Sequence, residues 1–282
     1  MPVTTNALIK NNEKFVSPFR MILSGSSGAG KTHFAGDLIR ADLFEEQTEY
    51  VYYYHPCYLE EAPVDWHDSM PIPVSYQTGL PTIEQLTSMP PNSLVVLDDL
   101  MSEAVGSEVI DHLFRVISGK KKISCMIMTQ NYFINGRYSR NIRNSCNYSV
   151  LLRNYCDATI NSRAARAMNL TKPVAKAEQS NAEKEYPYIF IDQTQKGQVS
   201  GYQIYTDIYG NFKKCYSNAG MPSYIIPEKD FLNVFEIIQQ KNRVVLATQR
   251  NADEIGETVQ QRTATAGQTT REYSRRKRRK RN

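Results

Sequence analysis

The stretch Gly25-Ser26-Ser27-Gly28-Ala29-Gly30-Lys31-Thr32 decides the fold of this chain, because it fits the pattern G-x-x-x-x-G-K-[ST] of phosphate-binding loops. A short, mostly apolar run, Phe19–Ser24, comes before it and predicts a buried strand. Residues 33–40 come after it and carry apolar side chains at helical spacing. A strand, a glycine-rich loop and a helix in this order place backbone N–H groups and a helix N-terminus around a phosphate.

The loop also predicts contacts for its own residues. All of Gly25–Thr32 are candidates for binding ATP. Lys31 is expected to reach the β- and γ-phosphates, and the Thr32 hydroxyl is expected to bind Mg²⁺. The competing interpretation is a glycine-rich turn that fits the pattern by chance, and the flanking strand and helix make it the weaker one.

Two carboxylates follow a second apolar run. The run Ser93–Leu97 leads directly into Asp98 and Asp99, which is the pattern of a buried parallel strand with acids at its C-terminal end. Ligands of α/β proteins gather at such strand ends. We therefore predict Asp98 in the Mg²⁺ shell, and Asp99 as the base that orients and deprotonates the attacking water. The alternative is that one or both cap the following helix, since Asp is a favourable N-cap.

A third apolar run, Ile123–Thr129, predicts a strand that ends in Gln130 and Asn131. Amides level with strand-end acids are suited to hold the lytic water or to sense the γ-phosphate. Gln130 is the first candidate for this role. Ordinary loop capping is the alternative for both amides.

The remaining pattern predicts an α/β fold with a mainly parallel central sheet and helices on both faces. The aromatic residues of Phe15–Phe19 are expected either in the core or against the adenine. The other predicted elements are a strand at 50–54, loops with a short helix near 82–88 within 60–91, a helix at 108–117, a strand at 147–153, a helix at 157–169 with an Asp N-cap, a hairpin of 188–192 with 202–206 closed through Gly197 and Gly201, and a final helix at 228–247.

Composition bounds the class of protein. The 282 residues are 41% hydrophobic and 22% charged, as in ordinary globular proteins. No apolar run approaches the roughly 20 residues of a membrane span, and the N-terminus lacks a signal-peptide pattern. The five cysteines include no C-x-x-C pair, which indicates free thiols in a reducing compartment. We expect an intracellular protein that is not secreted and has no membrane contact.

The motifs together resemble a known family. Gly25–Thr32, Leu94–Asp99, Met128–Asn131 and Ser139–Asn144 are similar to the matching segments of the additional-strand P-loop ATPases, and within them of the FtsK–HerA clade. The chain looks most like the genome-packaging ATPases of Polinton (Maverick) elements, virophages and poxvirus-like large DNA viruses. The resemblance covers about residues 15–210. Many members of the wider class have Glu where this chain has Asp99, and the shorter side chain weakens the assignment of the base.

The resemblance implies a motor. It implies a homo-oligomeric ring of about five or six subunits that uses ATP hydrolysis to thread double-stranded DNA into a preformed capsid, with capsid or portal vertex proteins as partners. In such rings an arginine of one subunit reaches the ATP of its neighbour. Arg140 and Arg143 match the segment after the Gln strand, and Arg115 in the preceding helix is a rival. A solvated surface arginine is the alternative for each.

The basic character of the chain is concentrated in its last residues. Of the net charge of +5, residues 271–282 contribute +7 through eight Lys or Arg and one Glu, which leaves −2 for the rest. A nuclear localisation signal, a DNA-binding arm and a solubilising end are all compatible with this run, and we favour nuclear import, with DNA contact second. The expected location is the host nucleus, the virion or both. The run itself is Arg275, Arg276, Lys277, Arg278, Arg279, Lys280 and Arg281.

The leading hypothesis is thus a DNA-translocating packaging ATPase. Its domains are a flexible N-terminus at 1–14, a P-loop ATPase domain at 15–247 and a disordered basic tail at 248–282. One alternative is a P-loop kinase acting on a nucleotide or small molecule, although no arginine-rich lid is evident. Another is a DNA-binding or scaffold protein that uses nucleotide only as a switch.

Overall fold

A computed structural model describes most of the chain between residues 8 and 226. The described residues are 8–10, 14–41, 43–57, 66, 69–194, 202–209, 213–217, 222–226 and 236–237. The chain divides into two compact units, Ala7–Glu228 and a unit formed by Met1–Asn6 with Lys229–Asn282. Of the second unit, only the helical residues 236–237 are described. The predicted basic tail at 248–282, and most of the predicted helix at 228–247, lie outside the described residues.

The unit Ala7–Glu228 contains one mixed sheet of eleven strands in its described part. The strands in chain order are β1 Leu8–Lys10, β2 Arg20–Ser24, β3 Tyr50–His55, β4 Val74–Thr78, β5 Ser93–Asp98, β6 Ser124–Thr129, β7 Tyr148–Leu152, β8 Tyr188–Asp192, β9 Tyr202–Asp207, β10 Lys213–Ser217 and β11 Pro222–Ile226. Their order across the sheet is β1-β11-β10-β9-β8-β7-β2-β6-β5-β3-β4.

Helices connect most of the strands in the first half of the sheet. They are α1 Lys31–Arg40, α2 Ile83–Ser88, α3 Met101–Ala104, α4 Glu108–His112, a π-helix at Leu113–Ile117, α5 Ser118–Lys121, α6 Ser139–Ser145, α7 Ile160–Ala167 and α8 Thr171–Asn181. None of these helices has the length and apolar character needed to cross a membrane.

The strands from β7 to β4 pair in parallel and form the part of the sheet that contains the glycine-rich loop. The predicted α/β fold with a mainly parallel central sheet is therefore confirmed. Strands β8 to β11 extend this block as an antiparallel meander. The predicted hairpin is present as the antiparallel pair β8–β9, and its Gly197 and Gly201 lie outside the described residues.

Alternate side chains of the central strands enter two separate cores, one on each face of the sheet. In β2, Met21 and Leu23 pack in the core that contains Phe34 and Leu38 of α1. Ile22, between them, packs in the core formed with the later helices. Because strand side chains alternate between faces, the nearly continuous apolar runs of the sequence are what a sheet covered on both faces requires.

The aromatic residues before β2 belong to the core. Phe15 and Phe19 are only 6% and 3% exposed. The Phe15 ring lies 4.8 Å from Phe190 and 5.8 Å from Tyr148, measured between centroids. Val16 N also donates a hydrogen bond to the Tyr148 hydroxyl at 2.8 Å. Of the two predicted roles, core packing is confirmed and contact with the adenine is excluded for these residues by their burial.

Several local predictions are wrong. The region 60–91 contains strand β4 in addition to the predicted helix, because Val74 pairs in parallel register with Val51 of β3. Helix α8 was not predicted; Pro173 stands in its first turn, where proline is tolerated. Asp157 does not cap α7, whose N-cap is Thr159; the Asp157 carboxylate instead accepts a hydrogen bond from Thr159 N at 2.8 Å.

We expect Phe190→Ala to lower the free energy of unfolding by about 3–5 kcal/mol, because it empties a buried site among aromatic rings. Phe190 is 0% exposed and its ring centroid lies 5.1 Å from that of Tyr148. Val116→Ala, at a position that is 37% exposed, is the control and should cost less than about 0.5 kcal/mol. Denaturant titration measures both. A similar loss for the two variants would contradict the packing of β8 described above.

Candidate functional site

The glycine-rich loop is hydrogen-bonded to the C-terminal ends of β6 and β7. Gly25 N donates a hydrogen bond to Thr129 O at 3.1 Å, and Ser26 N donates to Arg153 O at 3.3 Å. Gly28 and Gly30 have φ angles of +74° and +91°, which glycine adopts without strain. Helix α1 begins immediately afterwards at Lys31. The strand, loop and helix predicted from the sequence are therefore present in that order.

The Lys31 side chain folds back over the loop. Its Nζ donates hydrogen bonds to Gly25 O at 2.8 Å and to Ser26 O at 3.0 Å. Burial lowers the pKa of the Lys31 amine, and the charges of Asp98 and Asp99 oppose this change. The Lys31 amine is thus close enough to both carboxylates to interact with their charges.

An open cleft of about 400 Å³ lies above the loop. It brings together eight of the residues singled out in the sequence. Those lining it are Ser27, Gly28, Gly30, Lys31 and Thr32 of the loop, Asp98, Asp99 and Gln130 of the strand ends, and His33, Pro56 and Tyr186.

Asp98 and Asp99 occupy different environments although they are adjacent in sequence. Asp98 ends β5 and is half-buried, and the Tyr53 hydroxyl donates a hydrogen bond of 2.5 Å to its Oδ2. Burial raises the pKa of Asp98; the hydrogen bond from Tyr53 opposes this rise, and the charge of Asp99 adds to it. Asp99 is exposed and has a φ of +53°, with its backbone N–H donated to Met128 O at 3.1 Å.

Neither acid caps the helix that follows. The N-cap of α3 is Leu100, and no side-chain hydrogen bond caps this helix. The geometry therefore gives no support to the capping alternative, and both carboxylates line the cleft.

The side-chain amides of Gln130 and Asn131, which follow β6, have different surroundings. Gln130 lines the cleft, and its Nε2 lies 3.5 Å from Asp99 Oδ2. Asn131 instead closes its own loop, because its Oδ1 accepts a hydrogen bond from Phe133 N at 2.9 Å. Loop capping thus describes Asn131, whereas Gln130 keeps a position beside the acids.

The candidate arginines do not line the cleft in the described part of their own chain. Arg143 is half-buried, with its Cζ 5.4 Å from the Phe133 ring centroid, and Arg140 is exposed. Arg115 pairs with the buried carboxylate of Asp111 in its own helical segment, at 2.9 Å. This pairing already compensates the charge of Arg115.

Two tyrosines of the site were missed by the sequence argument. Tyr53 was recognised only as a residue typical of a strand, and its contact with Asp98 depends on the pairing of β3 with β5. Tyr186 lies in the segment before β8, where no local pattern indicates a site. A Cβ placed on Gly30 would lie 2.6 Å from Cδ1 of Tyr186, so this ring is packed directly on the loop.

The donors in the cleft suit Mg²⁺. Thr32 supplies a hydroxyl and Asp98 a carboxylate to the same cleft. Within the described ranges, no three His, Cys, Asp or Glu residues group as a protein-only metal site. Mg²⁺ usually binds through one or two carboxylates, waters and substrate phosphates, which is the donor set that Thr32, Asp98 and a nucleotide would offer.

Comparison with known proteins leaves the family of the chain open. No protein-family model matches it, and no curated protein matches it in sequence.

Solved structures of genome-packaging NTPases are similar to part of it. The genome packaging NTPase B204 of Sulfolobus turreted icosahedral virus 2 in complex with sulfate is 11% identical, with a TM-score of 0.39 over 74% of this chain and 96% of that chain. The complex with ATP-γS is 12% identical, with a TM-score of 0.39 over 74% of this chain and 97% of that chain. The DNA-packaging ATPase B204 of Sulfolobus turreted icosahedral virus is 12% identical, with a TM-score of 0.40 over the same shares of the two chains.

The site combines a loop of the phosphate-binding type with two carboxylates at the end of a parallel strand. The low identities and TM-scores of the B204 structures add no residue assignments to it. The function proposed below rests on the site residues.

Alanine substitutions at three glycines test the geometry of the loop. Gly28→Ala should cost about 1 kcal/mol of unfolding free energy through its positive φ alone, because nothing lies within 4 Å of its added Cβ. Gly30→Ala should cost about 2 kcal/mol or more, because the added Cβ also meets the Tyr186 ring. Gly119→Ala in α5, with open space and no positive φ, is the control and should be neutral or stabilising.

Denaturant titration measures the three variants. Adding Tyr186→Ala should lower the cost of Gly30→Ala towards that of Gly28→Ala, since the ring is removed and only the contact with the Cβ of residue 186 at 3.1 Å remains. Equal costs for Gly28→Ala and Gly30→Ala in the unmodified chain would show that the ring does not rest on Gly30.

Proposed function

We propose that this chain binds and hydrolyses ATP with Mg²⁺, and that it uses the hydrolysis to move double-stranded DNA into a capsid. The observation that carries the enzymatic part is the meeting of Lys31, Thr32, Asp98 and Asp99 in one cleft. A glycine-rich loop binds phosphates, but a half-buried acid and an exposed acid beside it are what hydrolysis of the γ-phosphate additionally needs.

Each residue has a defined part in the proposed reaction. The loop amides and the N-terminus of α1 hold the phosphates, and Lys31 leaves the carbonyls of Gly25 and Ser26 to contact the β- and γ-phosphates. Thr32 and Asp98 would hold Mg²⁺, which would supply positive charge beside the phosphates. Asp99 accepts the proton of the water that attacks the γ-phosphorus, while the bond to the ADP oxygen breaks. Gln130, beside Asp99, orients that water.

The motor part of the proposal extends to neighbouring subunits. In a ring of about five or six copies, an arginine absent from its own cleft can complete the cleft of its neighbour. Arg143 is the first candidate; its Nη1 has no hydrogen-bond partner in the described part of the chain, and it would have to leave its half-buried position to reach a neighbour. Arg140, exposed on the same helix, is the second candidate. Arg115 is disfavoured, because Asp111 already pairs with it.

The remaining features of the proposal follow from the sequence resemblance. We place the chain among the FtsK–HerA packaging ATPases of Polinton elements, virophages and poxvirus-like viruses, with capsid or portal vertex proteins as partners. The basic run 275–281 serves nuclear import or DNA contact, and the protein acts in the host nucleus, in the virion or in both. The proposal agrees with the activity named for B204, but it does not depend on that likeness.

ATP turnover with and without long duplex DNA tests this function. The chain should hydrolyse ATP, and DNA should increase the rate. Lys31→Ala and Asp99→Asn should each reduce turnover by about 100-fold or more, while Asp99→Asn keeps nucleotide binding. Lys120→Ala, at an exposed position in α5, is the matched lysine control and should leave the rate unchanged.

Two outcomes would redirect the assignment. If DNA leaves the rate unchanged and a nucleoside or small molecule accepts the phosphoryl group, the chain is a P-loop kinase. If Asp99→Asn hydrolyses ATP at the unmodified rate, Asp99 is not the base and its role is structural.

Tyr53→Phe should weaken Mg²⁺ binding without preventing nucleotide binding, because it removes the hydroxyl that holds Asp98 Oδ2. Partners that orient a metal ligand typically matter by about tenfold in metal affinity, so the Mg²⁺ half-saturation should rise by about this factor. Mg²⁺ titration of fluorescent-nucleotide binding measures it. Tyr54→Phe is the control, since Tyr54 belongs to the core on the other face of the sheet. Equal Mg²⁺ dependence in both variants would remove the proposed role of Tyr53.

A further inference from the structure

An aromatic pair lies at the cleft beside the phosphate-binding loop. The rings of Tyr186 and His33 are 5.2 Å apart between centroids and inclined by 25°, so they are stacked. Both residues line the cleft, and Tyr186 is 41% exposed. No step of the proposed hydrolysis uses either ring. An apolar ring left this exposed over a nucleotide-sized cleft offers a surface for a ligand.

The pair is held in place from several sides. The Tyr186 ring rests on Gly30, where any Cβ would collide with it. His33 Nδ1 lies 3.1 Å from Asp37 Oδ2, one turn further along α1. The segment that carries Tyr186 is tied down by Arg153 Nη2, which donates to Ala182 O at 2.7 Å, and by Lys184 Nζ, which donates to Thr206 O at 2.9 Å. The rings are therefore positioned before a ligand arrives.

The chemistry of the loop orients a nucleotide relative to this pair. Lys31, Asp98, Asp99 and Gln130 mark the part of the cleft where the terminal phosphate reacts. His33 directly follows Thr32 in the first turn of α1, where the loop holds the phosphates nearer the sugar. The nucleoside then leaves the loop on the side of His33 and Tyr186. A base is flat and aromatic, and a stacked ring pair is a matching surface.

We propose that Tyr186, supported by His33, is the platform on which the base of the bound nucleotide stacks. This inference rests on the proposed function in one respect, that the loop binds a nucleoside triphosphate. Stacking is tolerant of base identity, because every base has a π-face. The platform therefore adds affinity without selecting adenine, and GTP is held by the same contact as ATP.

A base-free ligand separates this platform from a structural role of the ring. Inorganic tripolyphosphate with Mg²⁺ occupies the phosphate sites only, whereas ATP and GTP also present a base. Competition with a fluorescent nucleotide gives the affinity of each. In Tyr186→Ala, ATP and GTP should bind about tenfold more weakly, and tripolyphosphate should bind as in the unmodified chain. Tyr186→Phe, which keeps the ring, should retain the original affinity for all three.

Two further variants complete the test. Tyr155→Ala is the control, because Tyr155 is the other tyrosine next to the loop, is 62% exposed and does not line the cleft in the described residues. It should change no affinity. Tyr186→Leu fills the space over Gly30 but has no π-face. It should show the same selective loss as Tyr186→Ala, and it keeps the test valid if the alanine variant folds poorly.

The outcomes distinguish this inference from the proposed function. Selective loss of ATP and GTP, with tripolyphosphate unchanged, supports the platform. An equal loss of all three ligands, or no loss of any, overturns it and leaves nucleotide hydrolysis untouched. An unmodified chain that binds neither ATP nor tripolyphosphate overturns the platform and the proposed function together.

Discussion

The parallel register of three adjacent strands is the constraint on which the site depends. Ser24 of β2 is level with Thr129 of β6, and Asp98 of β5 is level with Met128 of the same strand. Since parallel strands end at the same edge of a sheet, this register brings the loop, the acids and Gln130 to one level. The hydrogen bonds Gly25 N to Thr129 O and Asp99 N to Met128 O continue the pairing one residue beyond the strands.

The acidic side of the cleft has a fixed part, Asp98, and an adjustable part, Asp99 with Gln130. Asp98 is half-buried on a rigid strand and held by Tyr53, so its direction is set before any metal binds. Keeping a carboxylate there opposes the stability of the empty protein, because burial favours the neutral acid. Asp99 and Gln130 are exposed and touch each other only at 3.5 Å, so they can adjust to a bound phosphate. Preorganisation is thus concentrated at the proposed metal ligand.

A part of the fold or of the site could be predicted where its sequence pattern lies within a few consecutive residues. The loop and the central strands were predictable, because glycines at fixed spacing and continuous apolar runs are visible within a few residues. Strands β10 and β11 were not predicted although each pairs with a neighbour along the chain, whereas the three-residue β1 becomes a strand only through its distant partner β11. Tyr53 and Tyr186 were missed as site residues for the same reason. Arg143 was singled out from sequence, but its proposed partner lies on another subunit and no feature within one chain tests it.

The meander β8–β11 also sets how far its last strand lies from the site. Four strands lie between β11 and β2, and neighbouring strands are about 4.8 Å apart, so Ile226 is about 24 Å from the loop strand across the sheet. A fluorophore or surface tether attached at β11 itself would therefore join the chain about five strand spacings from the loop strand. The fold itself provides a handle by which a working subunit can be held and observed without obstructing the site.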